Sequence, residues 1–306
     1  MKILKRTSQF IFLIIISDLI LGQIAGVIYF SQKTGKYARL TETIKETEAP
    51  ILIMGSSHAY RHFNPDIISK NLNKDVYNAG VQGKRLHFQA TLGSIVLKRY
   101  TPSYIVLNVD PYWLTEAEDT EAISELDPYY WQNKEIIDKA TDESEFIHTI
   151  KMLSSAYRYN STLIHIIKYY FLPQKSQKGY QALNGTLSEE LLYQNEGDKN
   201  LINRTPLESS LNTLTNFIKT SKEKGSQVII TISPTFKAIY SKNDSEMVAL
   251  KEISQSEDIP LFDLSNNEQF SGNNELFYDP THLNSRGADL FSTMISDSLK
   301  TTFQFD

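Results

Sequence analysis

Ile51-Leu52-Ile53-Met54-Gly55-Ser56-Ser57-His58 is an apolar strand running into a Gly-Ser-Ser turn. Far downstream, Asp279-Pro280-Thr281-His282 precedes a stretch with the pattern of a last helix. A serine hydroxyl is a poor nucleophile until a histidine takes its proton, and the histidine needs a partner that fixes its tautomer. Ser57 is the candidate nucleophile, His282 the candidate base and Asp279 its orienting carboxylate. The two acid–base residues are three apart, so one short loop can deliver both side chains. Taken singly, Ser57 reads as a helix cap, Asp279 as a turn residue and His282 as a helix-start residue. The constellation, with a hydroxyl at the carboxyl edge of a parallel sheet, favours the chemical reading.

Between these ends the chain alternates strands and helices. Strands are expected at 50–54, 75–78, 104–109, 227–233 and 260–264, with helices over 86–99 and 285–299. Asn64-Pro65-Asp66 opens another helix, with Asn64 as cap, Pro65 at the first helical position and Asp66 at the positive dipole end. Thr205-Pro206 opens one whose stripe is Leu207, Leu211, Leu214, Phe217 and Ile218, and Gly225 ends it. This alternation predicts an α/β fold with a central parallel sheet. Residues 111–204 break the rhythm. They read as a helical, aromatic-rich insertion, with helices near 131–140, 143–157 and 160–171 and a poorly patterned stretch over 173–204. Its tyrosines and tryptophans suit stacking on sugar rings, covering an acyl chain or lying on a bilayer, but packing the extra helices together explains most of them.

These blocks resemble the SGNH (GDSL-like) hydrolase superfamily. Gly55-Ser56-Ser57 stands where the family has its Gly-Asp-Ser turn, with Ser57 in the nucleophile's place. Val76-Tyr-Asn-Ala-Gly80 matches the glycine block, and Asp279-x-x-His282, followed by Leu-Asn-Ser-Arg-Gly287, matches the last block. The third block departs: Leu107-Asn108-Val109-Asp110 puts Val109 where the family's asparagine should be. Strand alternation sends Asn108 and Asp110 to one face, and either can serve. The wider pattern is similar to membrane-anchored DltD-like proteins and polysaccharide O-acetylation partners. The resemblance covers roughly residues 50–110 and 226–299. It implies a flavodoxin-like three-layer sandwich and acyl-ester chemistry. The oxyanion donors would be the backbone N–H groups of Ser57 and Gly80, with Asn108 as the side-chain arm.

The 306 residues suffice for one large α/β domain with appendages. A formal charge of −5 offers no basic footprint for nucleic acid. The chain has no cysteine, hence no disulfide framework and no thiolate metal site. His58 and His62 are spaced i, i+4, but no third ligand is evident and Pro65 interrupts the helix, so neither a metal nor a cofactor is expected. Arg61 and His62 are expected at the site mouth instead. The sequons at Asn160, Asn184 and Asn203 would be idle in a bacterial source.

Phe10 to Phe30 is a mainly apolar run long enough to cross a ~30 Å hydrocarbon core. Lys2, Lys5 and Arg6 precede it, which predicts a cytoplasmic N-terminus and an extracytoplasmic remainder. The expected organisation is an anchor over 1–30, a polar stalk over 31–49 and an α/β domain over 50–306. Asp18, near mid-span, invites a contact with another membrane protein, and Gly22 and Gly26 form a small-xxx-small pair. Two functions from different classes follow. One is a membrane-anchored esterase or O-acyltransferase acting on an acyl-ester or glycan substrate. The other is a non-catalytic or weakly catalytic accessory of a multi-spanning membrane O-acyltransferase.

Overall fold

The computed structural model describes residues 2–160, 162–188, 190 and 204–305. The Asn203 sequon and residues 189 and 191–203 of the poorly patterned stretch lie outside the described residues. In chain order the first elements are α1 (Lys2–Phe30), α2 (Lys36–Thr41), β1 (Ile51–Met54), α3 (Ser57–His62), α4 (Pro65–Leu72) and β2 (Val76–Asn78). Next come α5 (Leu86–Arg99), β3 (Tyr104–Asn108), α6 (Tyr130–Lys139), α7 (Glu145–Leu153) and α8 (Leu163–Phe171). The last are α9 (Glu208–Glu223), β4 (Gln227–Ile232), α10 (Ser245–Ser256), β5 (Leu261–Asp263) and α11 (Ser285–Thr302). The chain forms two compact units, Met1–Glu42 with Thr120–Lys175, and Thr43–Asp119 with Ser176–Asp306.

The larger unit holds a five-stranded sheet in the order β2-β1-β3-β4-β5, and every pairing is parallel. Ile51 of β1 pairs with Val76 on one side and Tyr104 on the other. Connections from β1 therefore wind one way to β2 and the opposite way beyond it, so a topological switch point lies between β1 and β3. Ligands of open α/β sheets bind at the carboxyl edge of that point. All of β1 and the apolar residues Val228–Ile230 of β4 are buried, as expected of a sheet covered on both faces.

Helix boundaries follow local chemistry. Asn64 accepts the Asp66 N–H at 3.1 Å with Pro65 at the first position of α4, and left-handed Asn73 ends that helix. α11 buries Ala288, Phe291, Ile295 and Leu299 on one stripe, with Phe291 edge-on to Phe63 at 4.9 Å. α9 starts later than Thr205-Pro206 suggested, because the Leu207 N–H donates to Leu114 O at 2.7 Å and holds that residue outside the helix.

In the smaller unit, α1 is long and apolar enough to cross a membrane. Residues 36–46, read as a polar stalk, are α2 and one π-helical turn. Aromatics of the insertion pack on the N-terminal helices: Tyr129 and Tyr159 lie 6.0 Å and 5.7 Å from Tyr29 of α1, which is itself 5.3 Å from Tyr37 of α2. α7 is shorter than the 143–157 helix read from the sequence, ending at Leu153.

Candidate active site

β1 delivers its chain to the switch point through Gly55, whose φ of +143° is open to glycine alone. A Cβ there would also stand 2.6 Å from Asn108 O and 2.9 Å from the Ala59 methyl. This passage lets α3 start immediately, with Ser56 as its N-cap and Ser57 at its first position.

Ser57 Oγ lies 2.8 Å from His282 Nε2, and His282 Nδ1 lies 2.8 Å from Asp279 Oδ2. The hydroxyl donates to Nε2 while Nδ1–H donates to the carboxylate, the tautomer a general base requires. Asp279 Oδ1 also accepts the Thr281 N–H at 2.9 Å and the His282 N–H at 2.8 Å, which folds the loop around its own carboxylate. Burial works to raise the Asp279 pKa, but His282 and these two N–H groups outweigh it and hold the carboxyl well below its usual range. Asn284 closes the loop by accepting the Gly287 N–H at 3.0 Å and donating to Phe277 O at 3.3 Å. Ser57 and His282 are both partly exposed, so a substrate can reach them.

Ser56 belongs to a second carboxylate. Its Oγ donates to Asp110 Oδ2 at 2.8 Å, and the other Asp110 oxygen meets His58 Nδ1. The His58 ring also donates to the Thr281 backbone carbonyl. Burial disfavours the charged imidazole, but the Asp110 carboxylate outweighs it and raises the His58 pKa. Asp110, buried as well, is lowered by the His58 charge and by its two side-chain donors. One turn along α3, His62 is fully buried and its Nε2 accepts the Leu283 N–H at 3.0 Å. Burial, followed by the charges of His58, His282 and Arg61, drives the His62 pKa well below its ordinary value. His58 and His62 thus grip the backbone on either side of His282, one as a donor to the Thr281 carbonyl and the other as an acceptor from the Leu283 N–H. The three rings stand 4.8 to 6.1 Å apart. Arg61 lies over the Tyr60 ring at 4.3 Å and donates to Gln181 O at 3.1 Å.

Two expected oxyanion donors have acceptors within the protein. The Gly80 N–H donates to Asn78 Oδ1 at 3.0 Å. Asn108 is fully buried, and its Nδ2 donates to Thr231 O at 3.2 Å and Ser233 Oγ at 3.0 Å on the β4 side. The alternation that paired Asn108 with Asp110 fails because the strand stops at Asn108 and Asp110 caps a 3-10 turn. The Ser57 N–H, at the first position of α3, has no intrahelical acceptor and remains available. Sequence reasoning missed two buried supports. Asn78 Nδ2 donates to Ala59 O at 2.7 Å and Phe63 O at 2.9 Å, tying α3 to the end of β2. Gln89 Oε1 accepts the Gly55 N–H at 3.2 Å. Asn78 stands in the glycine block itself, a signal available from sequence, whereas nothing in the α5 pattern marks Gln89.

No protein-family model matches the chain, and no curated protein matches it. Solved structures do. A candidate SGNH hydrolase from Slackia heliotrinireducens is similar at 13% identity and TM-score 0.41, over 81% of this chain and 97% of that one. The lipase/acylhydrolase from Enterococcus faecalis is similar at 13% identity and TM-score 0.43, over 84% and 97%. LAE5, an alpha/beta hydrolase enzyme from the metagenome of Lake Arreo, is similar at 10% identity and TM-score 0.45, over 85% and 97%. At these identities and scores, the functional reading rests on the chain's own geometry.

Proposed function

We propose that the protein is a membrane-anchored serine esterase or O-acyltransferase of the SGNH type, working on acyl esters of a cell-surface glycan or polymer. The observation that carries this reading is the continuous Ser57–His282–Asp279 hydrogen-bond chain, 2.8 Å at each link, at the carboxyl edge of β1. Ser57 Oγ attacks the ester carbonyl as His282 Nε2 takes its proton. The oxyanion forms against the Ser57 N–H, and collapse breaks the ester C–O bond as His282 returns the proton to the leaving alcohol. An acyl-Ser57 ester remains. Water or a sugar hydroxyl then attacks it, with His282 again taking the proton and delivering it to Ser57 Oγ. Asp279 holds the imidazole and stabilises its cation without accepting the proton. The extracytoplasmic placement is supported by Lys2, Lys5 and Arg6, which precede the apolar run Phe10 to Phe30.

The accessory-subunit reading drew on Asp18 in the anchor and on the departing third block. The Asp18 carboxylate accepts the Ser155 N–H of its own chain at 2.6 Å, which removes the motive for an external partner there. A fluorophosphonate probe tests the catalytic reading. The wild type labels covalently, while Ser57→Ala and His282→Ala lose labelling and Ser56→Ala retains it. Full labelling of Ser57→Ala would sink the assignment.

A further inference from the structure

We propose that the helical insertion of the smaller unit is itself embedded in the membrane beside α1, its tip at residues 153–156 reaching to near the bilayer midplane. This rests on reading α1 as membrane-spanning. Asp18 sits twelve residues before Phe30, so it lies ~18 Å below the outer end of the helix in a hydrocarbon core of ~30 Å. At that depth its carboxylate accepts the Ser154 hydroxyl at 2.5 Å, the Ser155 N–H at 2.6 Å and the Ala156 N–H at 3.2 Å. Non-helical backbone is tolerated in a bilayer only where protein satisfies it, and Asp18 supplies that satisfaction for the turn after α7.

The rest of the insertion follows α1 outward. A Cβ on Gly22 would stand 2.2 Å from Ser155 Cβ, and one on Gly26 would stand 3.0 Å from Tyr159 Oη. The small-xxx-small face is therefore pressed against the insertion. Further out, Tyr170 Oη donates to Ile28 O at 3.1 Å and meets Ser31 Oγ at 2.8 Å, the level where amphipathic aromatics favour the membrane interface.

The exposed stripe of α7 and the end of α8 are apolar. α7 leaves Phe146 73%, Ile147 51%, Ile150 50% and Leu153 65% exposed along one stripe, while His148 and Met152 face inward. The end of α8 exposes Phe171 at 80% and Leu172 at 62%. A helix facing water carries its polar residues on that side, so this pattern is inverted for an aqueous surface and correct for lipid. The charges alongside α7 are paired, Lys151 with Glu143 and Lys134 with Glu145. The lipid occupant follows from continuity with α1, whose Leu21, Ile24 and Val27 are exposed in the same unit.

The chain has no cysteine, so single-cysteine reporters are clean. Full-length Leu153→Cys, Ile150→Cys, Leu21→Cys and Lys251→Cys would each carry an environment-sensitive fluorophore in phosphatidylcholine vesicles. Nitroxide lipids would quench from within the bilayer and iodide from water, and circular dichroism matched to the parent would check the fold. Leu153 and Ile150 are expected to lose most of their fluorescence to nitroxide lipids and little to iodide, as Leu21 does, with Lys251 doing the reverse. Quenching of Leu153 by iodide while Leu21 answers to lipid would overturn the proposal and leave the anchor standing. Shielding of Leu153 from both quenchers would mean that protein covers it, and would overturn the proposal too. If Leu21 itself answers only to iodide, the anchor reading fails and the proposal with it.

Discussion

Ser56 and Ser57 are adjacent and chemically identical, yet they address different carboxylates. Ser57 is linked through His282 to Asp279, while Ser56 donates directly to Asp110. Their places at the helix start differ: Ser56 is the cap, its Oγ folded over the first turn to accept the His58 N–H at 3.4 Å, while Ser57 is the first helical residue. The histidines of α3 are divided in the same way. His58, raised by Asp110, contributes stability that is complete below its ordinary value near 6.5 and is lost as pH climbs through the raised one. His62 has the opposite sign. Its folded pKa is depressed by burial and by the charges of His58, His282 and Arg61, so below pH 6.5 the unfolded chain binds a proton that the folded chain refuses. Stability against thermal unfolding in detergent should fall as pH drops below ~6.5, by at most ~1.4 kcal/mol per pH unit from this group. His62→Gln keeps an acceptor for the Leu283 N–H and cannot titrate, so its profile should be flatter over that window. An unchanged slope would remove His62 as the responsible group.

At the scale of elements, the site depends on how abruptly β1 becomes α3. Gly55 makes the turn possible, and Asn78 and Gln89 hold its two sides. Gly55→Ala meets both an unfavourable φ, costing ~1–3 kcal/mol, and a backbone oxygen 2.6 Å away that cannot yield cheaply. Gly83→Ala is the matched comparison, since Gly83 has a φ of +73° with nothing within 4 Å of a new Cβ. The unfolding midpoint should fall much further for Gly55→Ala, and fluorophosphonate labelling should disappear only there. Equal shifts in both variants would mean that backbone strain, not the crowded β1–α3 passage, sets the cost. α7 shows the same dependence on context, because Ser154 leaves the helix and its hydroxyl donates to Asp18.

For the whole molecule, the question is where each unit sits relative to the membrane. Lys2, Lys5 and Arg6 at the start of α1 predict a cytoplasmic N-terminus, with the unit that carries the triad on the far side. Fusions made after residue 40 should therefore give active alkaline phosphatase and dark green fluorescent protein. The reverse pattern would invert the topology and place the triad in the cytoplasm.

The sequence by itself determined the five strands, the parallel α/β class and the three residues of the hydrogen-bonded triad. Each is written in local pattern: unbroken apolar runs, cap residues, a Gly-Ser-Ser turn and an Asp-x-x-His spacing. Only the tertiary structure decided which polar groups are already occupied. Gly80 and Asn108 carry suitable donors, but Asn78 next door and Thr231 on a neighbouring strand accept them. His58 and His62 are spaced i, i+4 like a metal pair, yet Asp110, Thr281 and Leu283 engage three of their four ring nitrogens. Asp18 looks unpartnered until the chain returns with Ser154 to Ala156. The physical reason is common to all of them. Periodicity reports which face of an element is buried, whereas a hydrogen bond forms with whatever group the fold brings within 3 Å, often far away in the chain.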